Sequence, residues 1–433
     1  MILVDTALAK RQAENRPLRI GLVGAGYMGR GIALHFLDSV VGMRLVAVSN
    51  RTIADAARAY AQGGIEDPRV VTNSGDLETA IAAGKPAITD DATLLCVADG
   101  IDVLIESTGE IEFGAHIALE AIKSGKHVVL MNAEMDATIG PILKVYADRQ
   151  GVVVTNTDGD EPGVAMNLFR FVRTVGYRPV AAGNLKGMID PYRTPETQKA
   201  FAEKYHQKPR MITSFADGTK LSMECTILSN ATGLRVGKRG MYGPKCAHVK
   251  EAIGAFPENQ LMNGGLVDYL LGAEPHTGAW VLAHTENPIK RQYMNYFKMG
   301  DGPLYVFYTP YHLPHVQIVD TVARAGLFGD ATVAPIGGPV CEVLTMAKKD
   351  LTIGETLDGI GGFTCYGTID NADVMRRENL LPMGLSEGCK LKRDVAKDQP
   401  IGNDDVVFPS GRLCDRLRLE QDRLFAVDTR RKS

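Results

Sequence analysis

The seven cysteines (Cys96, Cys225, Cys246, Cys341, Cys365, Cys389 and Cys414) include no pair at C-x-x-C spacing. A zinc cluster or a redox dithiol is thereby excluded, and reduced or buried thiols, as in a cytoplasmic protein, are expected. No run of about 18 apolar residues is present to span a bilayer, so no membrane partner is expected. Met1 to Pro17 carries Asp5, Lys10, Arg11 and Glu14 and lacks an apolar h-region, so it reads as a short amphipathic helix rather than a signal peptide. Basic charge is not in excess: 48 Lys+Arg stand against 51 Asp+Glu, a formal net charge of -3. That leaves no footprint for a phosphate backbone, and nucleic acid is not an expected partner.

The remainder is the composition of a globular protein, 45% hydrophobic and 23% charged over 433 residues. At roughly 100 to 200 residues per domain, two to four domains follow. From Leu18 to Asn156, apolar runs alternate with helical segments, the pattern of parallel strands joined by crossover helices. The strand candidates are Leu18 to Gly24, Met43 to Ser49, Val103 to Thr108, His127 to Met131 and Val152 to Asn156, with helices beginning near Tyr27, Ile53, Leu77, Glu112 and Ile139. The fold class is α/β, with a doubly wound Rossmann domain expected over residues 1–156. Residues 157–338 read as a central α+β domain for catalysis and dimerisation. Its helices are expected at Val164 to Val175, Pro195 to Tyr205, from Asp217 onward, and at Leu313 to Ala325. A strand is expected at Pro179 to Lys186, and a strand-rich stretch from His276 to Tyr311. Residues 339–433 read as a β-rich end of short strands and Gly-rich turns, closed by a partly helical surface tail from Arg416 to Lys432.

Gly24-Ala25-Gly26-Tyr27-Met28-Gly29 follows the first strand and opens a helix, the context that gives a G-x-G-x-x-G its meaning. Gly24 permits the tight turn, Gly26 lets a pyrophosphate approach the backbone, and Gly29 lets the helix sit against the strand. The free amides of the helix N-terminus then face the diphosphate. The second strand ends in Ser49-Asn50-Arg51-Thr52, with no carboxylate to bind ribose hydroxyls and repel a phosphate. NADPH is therefore the expected cofactor, with Arg51 on its 2′-phosphate. Ser107, Thr108 and Gly109 end another strand and Asn132 the next, at the edge where a dinucleotide lies.

Asp158, Asp160 and Glu161 cluster after the last of these strands. Carboxylates so placed either cap the following helix or hold a divalent cation, Mg²⁺ or Mn²⁺, through Asp160, Glu161 and Glu224. Asn184-Leu185-Lys186-Gly187 ends an apolar strand and aims Lys186 at a cleft, ahead of Arg193. A helix from Asp217 would carry Asp217, Lys220 and Glu224 on one face, supplying a proton donor, an oxyanion partner and an acid. Lys186, Asp217, Lys220, Glu224 and Asp160 are the expected catalytic groups. Asn230, Arg235, Lys238, Arg239 and Lys245 are further candidates for a phosphate, and His248, His276, His284, His312 and His315 for acid–base work. His312 and His315 lack the intervening Glu of H-E-x-x-H, and no G-x-S-x-G elbow supports a serine nucleophile.

GAGYMGRGIA, VLIESTG, VVLMNAE and TNTDGDEPGV, with KDLTIGETLDGIGG and PMGLSEGC near the end, resemble the homoserine-dehydrogenase-like oxidoreductases that carry a C-terminal SAF domain. Within that group the chain is similar over its length to the reductoisomerase-like enzymes of isoprenoid precursor synthesis. The resemblance implies metal-assisted rearrangement of 1-deoxy-D-xylulose 5-phosphate and NADPH reduction to 2-C-methyl-D-erythritol 4-phosphate. It also implies a phosphorylated sugar-like substrate and sensitivity to phosphonate hydroxamates, and a homodimer is the general prior. The alternative is a homoserine-dehydrogenase-like reduction of another small hydroxy-aldehyde or sugar-derived substrate, without rearrangement or metal. Two departures stand out. Asp217-Gly218-Thr219-Lys220-Leu221 is one residue shorter than the family's D-x-x-x-K-L, and Asn132-Ala133-Glu134 stands where homoserine dehydrogenases have Asn-Lys.

Overall fold

The computed structural model describes residues 2–426. The chain forms two compact units. The first comprises Met1–Asp160, Leu313–Ala334 and Arg416–Glu420, and the second Glu161–His312, Pro335–Asp415 and Gln421–Ser433. The class is mixed α/β, with one large parallel sheet and smaller sheets beside it.

The first unit is built on seven parallel strands: β1 (Leu18–Val23), β2 (Met43–Ser49), β3 (Arg69–Val70), β4 (Ala87–Thr89), β5 (Val103–Glu106), β6 (His127–Leu130) and β7 (Val154–Asn156). Their order is β3-β4-β2-β1-β5-β6-β7. β1 lies between β2 and β5, so the chain reverses direction across the sheet there and opens the crevice in which α/β sheets bind ligands. The five expected strands are all present, while β3 and β4, two and three residues long, are too short to show a period. The helix Ala133–Gln150 starts six residues before the expected Ile139, because the Asn132 side chain accepts the Met135 amide and caps it. The helix Pro314–Phe328 belongs to this unit, burying Ile318 and Val322 in one core with Ile20, Leu22, Val48, Ile32 and Phe36. Its apolar stripe was expected in the central domain; its burial partners decide otherwise.

In the second unit β8 (Arg178–Lys186), β9 (Leu266–Leu271), β10 (Ala279–His284) and β11 (Leu304–Thr309) form a sheet ordered β11-β10-β8-β9. β8 and β9 are parallel, with Lys186 opposite Leu271. Between β10 and β11 the expected strand-rich stretch contains a helix, Pro288–Tyr296, opened by Pro288 and capped by Asn287. The expected helix Pro195 to Tyr205 shrinks to Lys199–Lys204, and Pro209–Ala216 is an additional helix. β8 alternates its faces: Ala181 and Leu185 enter one core, with Trp280 and Phe256. Ala182 enters another, with Val164, Phe169, Leu221 and Leu228 from the helices Glu161–Thr174 and Thr219–Thr232. Asn184 and Lys186, in phase with Ala182, face those two helices.

Residues after Pro339 pack within this second unit and do not stand apart as the expected third body. β12 (Cys341–Ala347) pairs antiparallel with β13 (Cys365–Asn371), and Thr219 Oγ1 accepts the Gly367 amide at 2.8 Å. Cys341 and Ile369 share the core of Leu221 and Leu228. The helix Thr219–Thr232 is thus covered by two sheets, which is why nearly all of it is buried. The closing helix runs Leu413–Ala426, and the rest of the tail to Lys432 lies outside the described residues. All seven cysteines are unpaired, six of them buried. Among the described residues no helix is long and apolar enough to cross a membrane.

Candidate active site

The glycine loop of the first unit has the geometry its sequence requires. Gly24 has φ +101, and a Cβ there would lie 2.9 Å from the Ser107 backbone. A Cβ on Gly29 would stand 2.0 Å from the Gly24 carbonyl oxygen. Gly26 meets nothing within 4 Å and caps the helix Tyr27–Asp38 with no side chain, leaving the helix N-terminus open to an anion. Asn50 accepts the Ala25 amide at 3.0 Å and donates to the Thr52 carbonyl at 3.1 Å. It therefore shapes the loop, while Arg51 and Thr52 stand exposed at the end of β2. Ser107 donates to the carbonyls of Val23 and Gly24 at 2.9 and 3.1 Å. Thr108 is tied to buried Glu106, donating to it from both its amide and its hydroxyl, and Gly109 turns the chain at φ +73. Asn132 is buried, capping its helix and donating to the Glu110 carbonyl at 3.1 Å. Of the expected cofactor residues, Asn50, Ser107 and Asn132 spend side-chain bonds on holding the loop. Gly26, Tyr27, Met28 and Arg51 present a surface to a ligand.

In the second unit the alternation of β8 brings three of the expected groups together. Lys186 Nζ donates to Glu161 at 2.5 Å and to Glu224 at 3.2 Å, and Asn184 Nδ2 donates to Glu224 at 2.9 Å. Both carboxylates have 3% exposed side chains, whereas the Lys186 side chain retains 20%, so Lys186 is the least buried member of the cluster. Glu161 sits in the first turn of its helix, where the helix dipole favours negative charge. Burial pushes the Glu224 carboxyl up to about 8; Glu161 adds to the rise, and Lys186 and Lys220 oppose it. For Lys186, burial works against the charge, but the two carboxylates outweigh it and its pKa is raised. The result is a buried carboxylic acid that holds its proton near neutrality, beside a lysine that remains cationic.

Asp217 does not join this cluster, because the helix starts two residues later at Thr219, behind Gly218 at φ +87. The expected single stripe is thereby broken. Asp217 Oδ2 instead accepts from Lys348 Nζ at 2.9 Å, with both side chains nearly sealed from solvent. Lys348 also donates to the carbonyls of Arg193 and Gly362, each at 2.9 Å or less, so all three of its donors are used and the pair is a structural tie. Lys220 remains beside Glu224, half-buried. Arg193 is committed to Asp190 at 2.9 Å. Asp158 is used in its loop, where its carboxylate accepts the Gly159 amide at 2.8 Å. Asp160 is buried and closes the first unit, one peptide bond before Glu161.

Several histidines have local structural partners: His248 accepts the Lys250 amide at 3.1 Å, His284 contacts Glu286 at 2.7 Å and His312 contacts Thr277 at 2.9 Å. Asn184, which joins the cluster, and Lys348, which ties Asp217 down outside it, are not among the residues expected from sequence. Asn184 supports Glu224 and could have been found from its strand phase with Lys186. Lys348 lies 131 residues from Asp217 and carries no sequence signal of the contact.

Asp160, Glu161 and Glu224 are all buried, and each offers a carboxylate oxygen within 4.8 Å of the others, the grouping the sequence suggested for a divalent cation. Hard cations need several oxygens at about 2.0 to 2.6 Å; here the Lys186 ammonium bonds both Glu161 and Glu224 and competes with an ion for those two oxygens. An ammonium supplies the positive charge here.

Residues 24–148 match the NAD-binding domain of homoserine dehydrogenase, and residues 159–318 match the catalytic domain of oxidoreductase DRL. An inositol 2-dehydrogenase of Saccharopolyspora erythraea is 32% identical over 124 residues, and a homoserine dehydrogenase of Methylobacillus glycogenes is 30% identical over 122. These alignments cover 27% and 28% of this chain, and the chain spans only 36% and 26% of those two relatives. Among solved structures it is similar to the myo-inositol dehydrogenase of Lactobacillus casei in complex with NAD(H) and myo-inositol. The identity is 11% and the TM-score 0.38, covering 75% of this chain and 89% of that one. The two matches lie side by side along the chain, a nicotinamide-nucleotide-binding domain followed by a region similar to an oxidoreductase catalytic domain.

Proposed function

We propose that this protein is an NADP-dependent oxidoreductase that interconverts the carbonyl and alcohol of a small hydroxy-aldehyde or sugar-derived substrate, without a resident metal. The observation that carries the reading is Lys186 held between Glu161 and Glu224 at the end of β8, inside the region matching an oxidoreductase catalytic domain. When bound, the reduced nicotinamide supplies a hydride. Lys186 stabilises the negative charge that develops on the substrate oxygen, and Glu224, which holds a proton near neutrality, delivers that proton to the same oxygen. Hydride on carbon and proton on oxygen complete the alcohol. Asn184 holds the Glu224 carboxyl in place. The absence of a carboxylate at the end of β2, with Arg51 exposed there, supports NADP over NAD.

The finer reading, rearrangement of 1-deoxy-D-xylulose 5-phosphate before reduction, rests on the motif resemblance, as does the SAF-like character of residues 339–433. Rearrangement calls for chelation of a carbonyl and its neighbouring hydroxyl, and the ammonium between the carboxylates favours simple reduction. Incubating the protein with NADPH and a panel of hydroxy-aldehydes, with 1-deoxy-D-xylulose 5-phosphate included in the presence and absence of Mn²⁺, tests both. Metal-independent oxidation of NADPH supports the proposal. Turnover confined to the sugar phosphate with Mn²⁺ replaces it with the reductoisomerase.

A further inference from the structure

Lys348, just past the end of β12, has a buried ammonium that reaches three separate segments of the second unit. It donates to Asp217 Oδ2 at 2.9 Å, to the Arg193 carbonyl at 2.8 Å and to the Gly362 carbonyl at 2.9 Å, with 3% of its side chain exposed. Arg193 lies on the loop that leaves β8 after Lys186, and Asp217 stands at the head of the helix that carries Glu224. We infer that Lys348 is a positioning residue of the active site, setting the place of Glu224 against Lys186 from outside their cluster. This rests on the oxidoreductase reading for the reaction it serves, although the positioning itself is read from the three bonds.

The ammonium is not needed to hold these segments together. Cys341 of β12 and Ile369 of β13 already share a core with Leu221 and Leu228 of the helix, and a buried ion pair adds little net stability because desolvation offsets its attraction. What an apolar side chain cannot supply is direction. An ammonium carries three donors and no acceptor, and here each donor meets an oxygen from a different segment. The loop and the helix head also touch: the Asp190 amide donates to the Ala216 carbonyl at 2.8 Å, and a Cβ on Gly218 would stand 3.3 Å from Ile189. The third acceptor is itself fixed. Gly362 lies in the turn between β12 and β13, where Asp358 accepts the amides of Phe363 and Thr364 at 2.6 and 3.0 Å, and Arg210 donates to the carbonyls of Asp358 and Ile360.

Both elements of the cluster thereby take their places from one nitrogen atom. From Lys186 the chain runs through Asp190, whose carboxylate accepts from Arg193 at 2.9 Å, to the carbonyl that Lys348 binds. On the other side, Asp217 Oδ1 accepts the Thr219 amide at 2.9 Å, which leaves Oδ2 for Lys348. A misplacement of about 1 Å can cost about 10²-fold in rate, so a tie that fixes the loop and the helix head together bears on turnover. Asn at position 217 would break the tie without a change of size: its one oxygen can cap Thr219, and its NH₂ then faces the ammonium.

The test compares the wild type with Asp217→Asn and with the double variant Asp217→Asn/Lys348→Met, which removes both charges, in the full chain below its melting temperature. Two quantities are read: kcat with NADPH and a hydroxy-aldehyde, and the titration of the Glu224 carboxyl by infrared difference spectroscopy, its band identified by its loss in Glu224→Gln. In both variants kcat should fall about tenfold or more at unchanged KM for NADPH, and the Glu224 titration should move by about half a pH unit or more. The control is Arg239→Met. Arg239 pairs with Asp370 at 2.8 Å and with Glu378, so its loss loosens β13 at the end away from Lys348 and should lower the melting temperature while leaving both readings as in the wild type. Wild-type kcat or an unmoved titration in either folded variant overturns the positioning role, and so does an equal shift in Arg239→Met. Failure of the oxidoreductase reading shows separately, because the infrared titration needs no turnover and reports the shift in a chain that oxidises no NADPH.

Discussion

Lys186 lies 2.5 Å from Glu161, and the same ammonium reaches Glu224 at 3.2 Å, so one cation serves two buried carboxylates from the end of a strand. Replacing it with Met at similar length should lower turnover about 10² to 10³-fold, the usual loss when an oxyanion partner is removed. NADPH affinity should stay as it was, because the glycine loop is built from other residues. Steady-state kinetics beside a cofactor titration reads both; unchanged turnover would remove Lys186 from the mechanism.

Glu224 sets a pH dependence whose sign follows from its role. With its carboxyl pushed up to about 8 by burial, the protonated form needed for reduction is present below that pH and lost above it. The reduction rate should therefore fall as pH rises through about 8, and alcohol oxidation, which needs the base, should rise over the same range. Glu224→Gln should be slow in both directions and should lose this inflection. A pH profile of hydride transfer in each direction checks it.

Two glycines of the nucleotide loop should fail in different ways. Gly26 faces open space at an ordinary φ of -68, so Gly26→Val should fold normally and fill the approach of the pyrophosphate, abolishing dinucleotide binding at unchanged melting temperature. A Cβ on Gly29 would strike the Gly24 carbonyl at 2.0 Å. Gly29→Ala should cost about 1–3 kcal/mol or more of stability as well as binding. Calorimetric melting with and without NADP⁺ separates the two cases.

Arg51, exposed where β2 ends, should discriminate between cofactors. Arg51→Ala should weaken NADPH about tenfold or more, as expected for a lost charge-assisted contact, and leave NADH nearly untouched. Equal losses for both would contradict the assignment of Arg51 to the 2′-phosphate.

Asp136 gives a test of stability. Burial raises its carboxyl to about 7, opposed by Asn156 and helped by Asp160. The unfolded chain releases this proton near pH 4 and the folded chain near 7, so the folded state binds more protons between the two, and stability falls as pH rises across that window. Asp136→Asn should match the wild type near pH 4 and exceed it at pH 8 by on the order of 2–4 kcal/mol. Denaturant melts at both pH values decide it.

Much of the fold was readable because the first unit depends on local patterns. β1, β2, β5, β6 and β7 are apolar runs, and the glycine loop is contiguous. In the second unit, Lys186 and Glu224 were identifiable from a strand end and a helix face, but their meeting depends on the phase of β8 against a helix begun by Gly218 rather than Asp217. The pairing of Asp217 with Lys348 and the docking of β12 and β13 on the helix Thr219–Thr232 are tertiary contacts that no local period encodes. The helix Pro314–Phe328 was recognised as a helix but assigned to the wrong body, because its period reports that one face is buried and not what buries it. The carboxylates Asp160, Glu161 and Glu224 do meet, as their clustering after β7 and on the helix Thr219–Thr232 suggested, but sequence does not show that an ammonium bonds two of them.

The most direct test is single-turnover hydride transfer from NADPH to a turned-over hydroxy-aldehyde after exhaustive chelation of metals, compared across wild type, Lys186→Met and Glu224→Gln. The account predicts full wild-type transfer without metal and at least a 10² drop in both variants. Transfer that vanishes with the metal, or that survives both substitutions, would contradict it.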